Sequence, residues 1–123
     1  MQVSELDGPR LDYWVARMLN LNGATVESDQ CWVITPADDE DHPPHVELFS
    51  PSTAWSQGGP IIDALNISVV FEPDSAADEP TGTWTAYIQP VNDGMFWGAT
   101  PLVAAMRAAV HCRFGPEVVI ADW

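Results

Sequence analysis

Two segments of the chain carry apolar residues at the spacing of an amphipathic helix. In the first, residues 11–19, five apolar side chains fall on one stripe, and Pro9 suits the first turn, where no backbone N–H is required. The second follows Thr100 and Pro101, a cap residue and a first-turn proline, and stops at Gly115. The pattern therefore predicts one helix of several turns near each end of the chain.

Shorter runs between these helices favour β-strands. Residues 24–27 and 31–35 flank three turn-forming residues and predict a β-hairpin. Pro60 and Asn66 bound a short helix over 60–65, with Asn66 in the left-handed conformation that ends many helices. Further strands are expected at residues 46–49, 67–72 and 83–89.

The order of these elements predicts the fold class. Strands that follow one another without a crossover helix favour antiparallel pairing. We therefore expect an α+β domain with a small, mainly antiparallel sheet of about four or five strands, on which two longer helices and one short helix pack. The 123 residues support a single domain, 1–123.

The net charge of the chain then limits the classes of molecule that it is expected to bind. The chain holds 18 Asp and Glu against four basic residues, all arginine, for a formal net charge of −14. Such a chain lacks the basic face that nucleic-acid binding needs, and an anionic membrane would repel it. The absence of lysine excludes Schiff-base and phosphate-loop lysine chemistry. No apolar run approaches the length of a membrane span.

Many of the acids fall in two proline-containing segments, which predict acidic loops at 36–45 and 73–82. His42 and His45 accompany the acids of the first loop, but without the ligand spacing of a metal site. We expect a solvated loop there, with neither metal nor cofactor. Cys31 and Cys112 match no redox or zinc spacing and are expected to be buried, reduced thiols.

The uncharged segment 49–60 is the best candidate for a ligand site. A hydrogen-bonding set with an aromatic wall predicts ligand binding at Ser52, Trp55, Gln57, Gly58 and Gly59. The alternative is that the two glycines form a hinge at a tight turn and that the hydroxyl groups close turns. No nucleophile motif is present, so no catalytic residue is predicted and a non-enzymatic role is favoured.

Six tryptophans are many for this length, and some of them fall in loops or in the tail. Tryptophan is enriched at protein interfaces, so Trp97, Trp123 and Ile120 are candidate interface residues. The alternative is that the tail packs on its own domain. Arg107 and Arg113 lie on the last helix, where ion pairs within the chain are expected.

Three segments resemble a known family: SELDGPRLDYWVARM, FSPSTAWSQGGPIID and GATPLVAAMRAAVHCRFG. Together they are similar to the phage NinX-like family of small phage and prophage proteins of unknown function. The resemblance implies a phage- or prophage-encoded protein of the bacterial host's cytoplasm. It supplies no activity and no catalytic residues.

Three hypotheses of function follow. The first is an accessory protein that binds a protein partner or associates with itself. The second is an acidic DNA mimic that occupies the basic groove of a host nucleic-acid-binding protein. The third is a small-molecule-binding or enzymatic domain that uses the loop from Ser52 to Gly59.

Overall fold

The computed structural model describes residues 1–36, 43–73, 82–88 and 95–119. Within these ranges the chain forms three α-helices, six β-strands and a short 3₁₀ helix at Val3–Glu5. The helices are α1 (Gly8–Met18), α2 (Trp55–Leu65) and α3 (Pro101–Phe114). The strands are β1 (Asn22–Glu27), β2 (Gln30–Thr35), β3 (His45–Leu48), β4 (Ile67–Pro73), β5 (Gly82–Ile88) and β6 (Phe96–Gly98).

The first sheet has the strand order β1-β2-β3 with antiparallel neighbours. Helix α1 packs against β1 and β2, and the buried side chains of Cys31 and Val33 join the core from β2. Ser28 and Asp29 connect β1 to β2 with φ angles of 53° and 59°. Positive φ at both central residues is the pattern of a type I′ turn, whose twist matches the flanking strands. The predicted hairpin is confirmed.

The second sheet has the order β4-β5-β6, again antiparallel. Helix α3 contacts all three of these strands and also α1 and α2. A helix surrounded in this way must be apolar on several sides. Its buried residues accordingly include four alanines, which allow close approach: Leu102, Ala104, Ala105, Met106, Ala108, Ala109 and Val110.

Two helix ends form as their sequences predict. The Thr100 hydroxyl accepts a hydrogen bond from the backbone N–H of Val103 at 3.2 Å and so caps α3. Asn66 ends α2 with φ 54° and ψ 47°, in the left-handed region, and β4 begins at the next residue.

The first residues of the chain lie beside the segment that follows α3. The backbone N–H of Val3 donates to the Pro116 carbonyl at 2.8 Å. Gln2 and Glu117 form an antiparallel bridge, and the Gln2 side-chain amide donates to the Glu117 carboxylate at 2.7 Å. These bonds hold the region before α1 against the end of α3.

The α+β class and the antiparallel pairing are confirmed, but the strands differ from the expected single sheet. Two three-stranded sheets form, because α2 separates β3 from β4 in the chain and these two strands do not pair. Strand β6 was not predicted, since it has only three residues.

Helix α2 is longer than the predicted 60–65 and begins at Trp55. Pro60 therefore lies inside the helix rather than in its first turn. Residues 37–42 and 74–81, which make up most of the two predicted acidic loops, lie outside the described residues. Pro73 and Gly82, at the ends of the second predicted loop, belong to β4 and β5.

In the described ranges, none of the helices has the length and the apolar character required to cross a membrane.

Candidate functional site

Segment 49–60 forms a tight turn followed by the first half of α2. The backbone N–H groups of Thr53 and Ala54 both donate to the Ser50 carbonyl, at 3.1 and 2.8 Å, and close the turn. The predicted ligand-binding residues therefore divide between two elements, with Ser52 in the turn and the other four on α2: Trp55, Gln57, Gly58 and Gly59.

The side chain of Gln57 holds α2 to the end of the first sheet. Its Oε1 accepts hydrogen bonds from the Ser50 backbone N–H at 2.6 Å and from the Ser50 hydroxyl at 3.3 Å. Its Nε2 donates to the Leu48 carbonyl at 3.0 Å. These contacts engage both ends of the amide within the chain, so Gln57 is a structural residue and the prediction that it binds a ligand gains no support.

Gly58 and Gly59 are helical residues, so the alternative prediction of a hinge at a tight turn is wrong. Gly58 is buried, and a Cβ there would overlap the Pro51 carbonyl oxygen and lie 2.6 Å from Leu102 Cδ2. Gly59 faces open space, and the nearest atom to an added Cβ would be a Trp55 ring carbon at 4.0 Å. Gly58 is therefore needed for close packing of α2 against the turn and α3.

Ser52 and Trp55 border a shallow cavity of about 230 Å³ that continues along the start of α3 at residues 100–103. Trp55 is 58% exposed. The Ser52 hydroxyl is fully buried, and its oxygen has no hydrogen-bond partner among the described residues. Of the predicted set, these two residues lie together at a surface concavity.

Asp12 is a buried carboxylic acid on α1, only 4% exposed. Its Oδ1 accepts a hydrogen bond from the backbone N–H of Ser52 at 2.8 Å. Burial raises the pKa of Asp12 from 3.8 to about 6, although the Ser52 side chain and backbone N–H oppose this by stabilising the charged form. The Ser52 hydroxyl therefore lies beside this carboxyl.

Asp12 lines a cleft of about 240 Å³ between the start of α1, the β1–β2 turn and the turn before α2. The polar lining comes from Asp12, Asp29, Gln30, Ser50 and Thr53, and the remainder from Gly8, Pro9, Cys31 and Leu48. A buried acid with a perturbed pKa in a cleft is a candidate functional residue on physical grounds.

No sequence pattern predicts this cleft. One signal was available: Asp12 lies three and four positions before Val15 and Ala16, so all three share a helix face. An acid on the apolar face of a helix requires an internal partner. The partner is the Ser52 backbone, 40 residues away, which no local pattern reveals.

The first sheet also exposes apolar side chains on the side away from Cys31 and Val33. The β2–β3 register places Trp32 opposite Leu48 and Ile34 opposite Val46, and side chains two residues apart share a face. Ile34, Val46 and Leu48 are 42%, 62% and 41% exposed, and Trp32 is half-buried. We call Trp32, Ile34, Val46 and Leu48 the apolar sheet face.

A concavity of about 410 Å³ lies over this face. Gly23 forms part of the floor of this concavity. Its φ of +63° favours glycine, and an added Cβ would lie 2.6 Å from Ile34 Cγ1. Glu27 lines the concavity together with Gly23, Thr25, Trp32, Ile34 and Val46.

Of the predicted interface residues, Trp97 lies on β6 and is 50% exposed. Its exposure leaves the interface prediction open. Ile120 and Trp123 lie outside the described residues. Val118, at the start of the tail, is buried against the core.

Within the ranges that the structure describes, Arg107 forms hydrogen bonds to backbone carbonyl groups and no ion pair. Its Nε donates to the Leu6 carbonyl at 2.7 Å and its guanidinium to the Trp97 carbonyl at 2.5 Å. Burial lowers the pKa of Arg107, and the charge of Asp7 acts against this. Arg107 therefore joins the chain before α1 to β6 through backbone carbonyl groups.

The two cysteines are free, as expected, but only Cys31 is buried; Cys112 is exposed on α3. Burial, with a smaller contribution from the charge of Asp12, raises the pKa of Cys31 to about 12. Its thiol therefore stays protonated in the cleft wall.

His45, from the first predicted acidic loop, interacts with Glu47, and their side chains meet at 2.6 Å. Hydrogen bonding to His45 lowers the pKa of Glu47. Across the described ranges, no group of three or more His, Cys, Asp or Glu residues is arranged to hold a metal ion.

Comparison with known proteins gives one family. The family described as bacteriophage P22 NinX matches residues 2–113. No curated protein sequence matches the chain significantly. The matched residues include α1, α2, both sheets and nearly all of α3. They include the Asp12 cleft and the apolar sheet face, so both surfaces belong to the family domain. The chain is a member of the bacteriophage P22 NinX family.

Proposed function

We propose that this protein is a phage- or prophage-encoded accessory protein that acts in the host cytoplasm by binding a protein partner through the apolar sheet face. Family membership supports the phage setting. The observation that carries the binding mode is a row of four apolar side chains, three of them more than 40% exposed, on one face of a small sheet.

This arrangement is unusual for a sheet that faces only water. An antiparallel sheet with one side packed on a core normally presents polar side chains on the other side. Here the core side is filled by residues such as Cys31 and Val33, yet the opposite side carries Trp32, Ile34 and Val46. A contiguous exposed apolar surface of this kind marks protein interaction sites, and tryptophan often anchors them.

The negative charge of the chain and of the surroundings of the apolar sheet face favours one kind of partner. Glu27 lines the concavity over the apolar sheet face, and no basic residue lines it. The whole chain carries −14, so a second copy would bring an equally negative surface. We therefore favour a partner whose apolar patch is bordered by basic side chains, in preference to self-association.

The test compares paired substitutions on the two sheets. Ile34→Thr with Val46→Thr keeps residues that favour strands while removing apolar surface from the apolar sheet face. Val70→Thr is the matched control, because Val70 is 48% exposed on β4 of the other sheet. Immobilised wild-type and variant proteins are incubated with lysate from phage-infected cells, and captured proteins are quantified by mass spectrometry.

The wild type and Val70→Thr should retain the same basic partner, and the double variant should lose it. Retention by all three proteins, or capture of nothing beyond further copies of this chain, would contradict the proposal. Salt separates it from DNA mimicry: an apolar interface survives about 0.5 M salt, whereas binding by charge alone is released because the Debye length falls to a few ångströms. Light scattering of the purified chain checks for self-association.

A further inference from the structure

Strand β3 forms one edge of the first sheet. Among the described residues it pairs only with β2, and all of its residues, His45–Leu48, are exposed. An edge strand presents backbone N–H and C=O groups to solvent, and native proteins usually cover or interrupt such edges. The other edge strand, β1, is interrupted by a register irregularity between Asn22 and Thr25, and α1 packs against it. The register of β3 on β2 is continuous.

The hydrogen bonds to β2 determine which backbone groups of β3 point outward. Phe49 follows β3, and its backbone N–H donates to the Cys31 carbonyl at 2.9 Å, which continues the β2–β3 register. Hydrogen-bonded and non-hydrogen-bonded pairs alternate along an antiparallel ladder, so Glu47 is the next residue that bonds to β2. The N–H and C=O groups of Val46 and Leu48 therefore point away from β2, toward the free edge of the sheet.

A side chain from outside the sheet supports this direction. Gln57 lies on α2, and its Nε2 donates to the Leu48 carbonyl at 3.0 Å. The N–H of Leu48 and both backbone groups of Val46 make no hydrogen bond with any other part of the chain that the structure describes. The edge thus offers two donors and one acceptor in extended backbone, and the amide of Gln57 marks its end.

The free edge of β3 borders the apolar sheet face. The side chains of Val46 and Leu48 lie on that face, and residues directly opposite one another in an antiparallel pair share a face. A strand added to β3 would therefore place every second side chain on the apolar sheet face. The intervening side chains would lie beside Glu47, whose side chain is 52% exposed and favours a basic neighbour.

We propose that the partner adds an extended segment antiparallel to β3, in which apolar residues alternate with basic ones. This inference rests on the proposed function and specifies how the partner presents its apolar patch. Backbone hydrogen bonds to Val46 and Leu48 contribute affinity, and the alternating side chains contribute specificity. A strand from a second copy fits less well, because all four arginines of this chain lie on α1 and α3.

Hydrogen exchange of the free chain tests the direction of the backbone groups. The amide protons of Val46 and Leu48 should exchange at least about tenfold faster than that of Glu47, which bonds to β2. Equal exchange at Val46 and Glu47 would overturn the inference, because the edge would then lack the outward donors on which it depends.

Binding is tested by NMR titration of the ¹⁵N-labelled full chain with acetyl-(Lys-Val)₃-amide at about 0.15 M salt. In antiparallel addition a valine of the peptide lies opposite Val46, so the valine N–H groups face β3. Two matched probes of equal charge carry N-methyl groups on the valine nitrogens or on the lysine nitrogens. Saturable shifts at the amides of Val46 and Leu48 are expected, and the valine-methylated probe should bind at least about tenfold more weakly than the lysine-methylated probe.

Two variants at one position separate the backbone from the side chain. Val46→Pro removes an outward N–H and leaves the hydrogen bonds to β2 in place, since proline is tolerated on an edge strand where its nitrogen faces solvent. Val46→Thr is the matched control, because it keeps the N–H and removes apolar surface. We expect Val46→Pro to weaken binding of the unmethylated probe by about tenfold or more and Val46→Thr to weaken it by a smaller factor.

Absence of saturable shifts, equal binding of the two methylated probes, or equal binding by Val46→Pro and Val46→Thr would overturn the inference. If Val46→Pro does not fold, the methylated probes and the exchange rates decide the outcome. The titration uses no partner protein, so it succeeds or fails independently of partner capture. Capture that is lost by Ile34→Thr with Val46→Thr but retained by Val46→Pro would preserve the proposed function and remove only the strand addition.

Discussion

At the scale of single residues, adjacent glycines on α2 have opposite surroundings. We expect Gly58→Ala to lower the free energy of unfolding by about 1–3 kcal/mol, because the added Cβ overlaps the rigid Pro51 carbonyl. Gly59→Ala should instead leave the free energy of unfolding unchanged or raise it by up to about 1 kcal/mol. Alanine favours a helix, and there is free space around an added Cβ at this position. Urea denaturation measures both, and similar losses in the two variants would contradict the packing described for Gly58.

The buried carboxyl of Asp12 makes a prediction about pH. Its folded pKa is raised from 3.8 to about 6, so in this window the folded chain holds a proton that the unfolded chain has lost. Its contribution to stability is complete below about pH 4 and is lost as pH rises to about 6, by roughly 3 kcal/mol at most. Urea denaturation from pH 4 to 7.5 should show the wild type losing stability relative to Asp12→Asn over this interval and no further change above it. A constant difference between the two proteins would refute the raised pKa.

Residue-scale prediction from the sequence succeeded where a local pattern determines the conformation. Asn66 takes the left-handed conformation and Thr100 caps α3, because each depends on its immediate neighbours. The predicted ligand-binding set stays a prediction. Its members Gln57 and Gly58 make contacts with residues 48–51 and α3 that only the folded chain brings near, so the sequence could not indicate their structural role. Asp12 was missed for the same reason.

At the scale of elements, the turn of the β1–β2 hairpin holds one residue, Ser28, in a conformation that serine does not favour. Ser28 has a φ of 53°, where asparagine is much better tolerated than serine. We expect Ser28→Asn to raise the free energy of unfolding by about 0.5–1 kcal/mol. The control is Ser56→Asn on an exposed position of α2, where the two residues have similar helix propensity and no gain is expected. Thermal unfolding of both variants checks this, and equal shifts in Tm would contradict it.

The observed bounds of the helices and strands show which of them the sequence alone could predict. Helix α1, helix α3 and the first hairpin were predicted because their periodicity and turn residues agree with their tertiary environment. The start of α2 was not predicted, because Gly58, Gly59 and Pro60 all disfavour a helix. Packing of Gly58 and the hydrogen bonds of Gln57 outweigh that local preference. The division into two sheets depends on pairing between distant strands, which element order alone leaves undetermined.

At the scale of the whole molecule, the net charge of −14 acts against the compact state. Between described residues the structure records one ion pair, His45 with Glu47, and Arg107 binds backbone carbonyl groups. We therefore expect added salt to raise the urea midpoint at pH 7, because screening weakens the repulsion. At pH 4, where many carboxyl groups are protonated, the increase should be much smaller. A midpoint that falls with salt at pH 7 would show that net attraction between charges stabilises the fold.

The contrast between the two cysteines has a practical consequence for following motion in this protein. Cys112 is exposed and should react with a thiol reagent at once, whereas Cys31 is buried beside α1 with a pKa raised to about 12. The second thiol becomes reactive only when α1 separates from the first sheet. The delay between modification of Cys112 and modification of Cys31 therefore measures how often α1 separates from the first sheet. A bound partner that closes the neighbouring cleft would lengthen that delay.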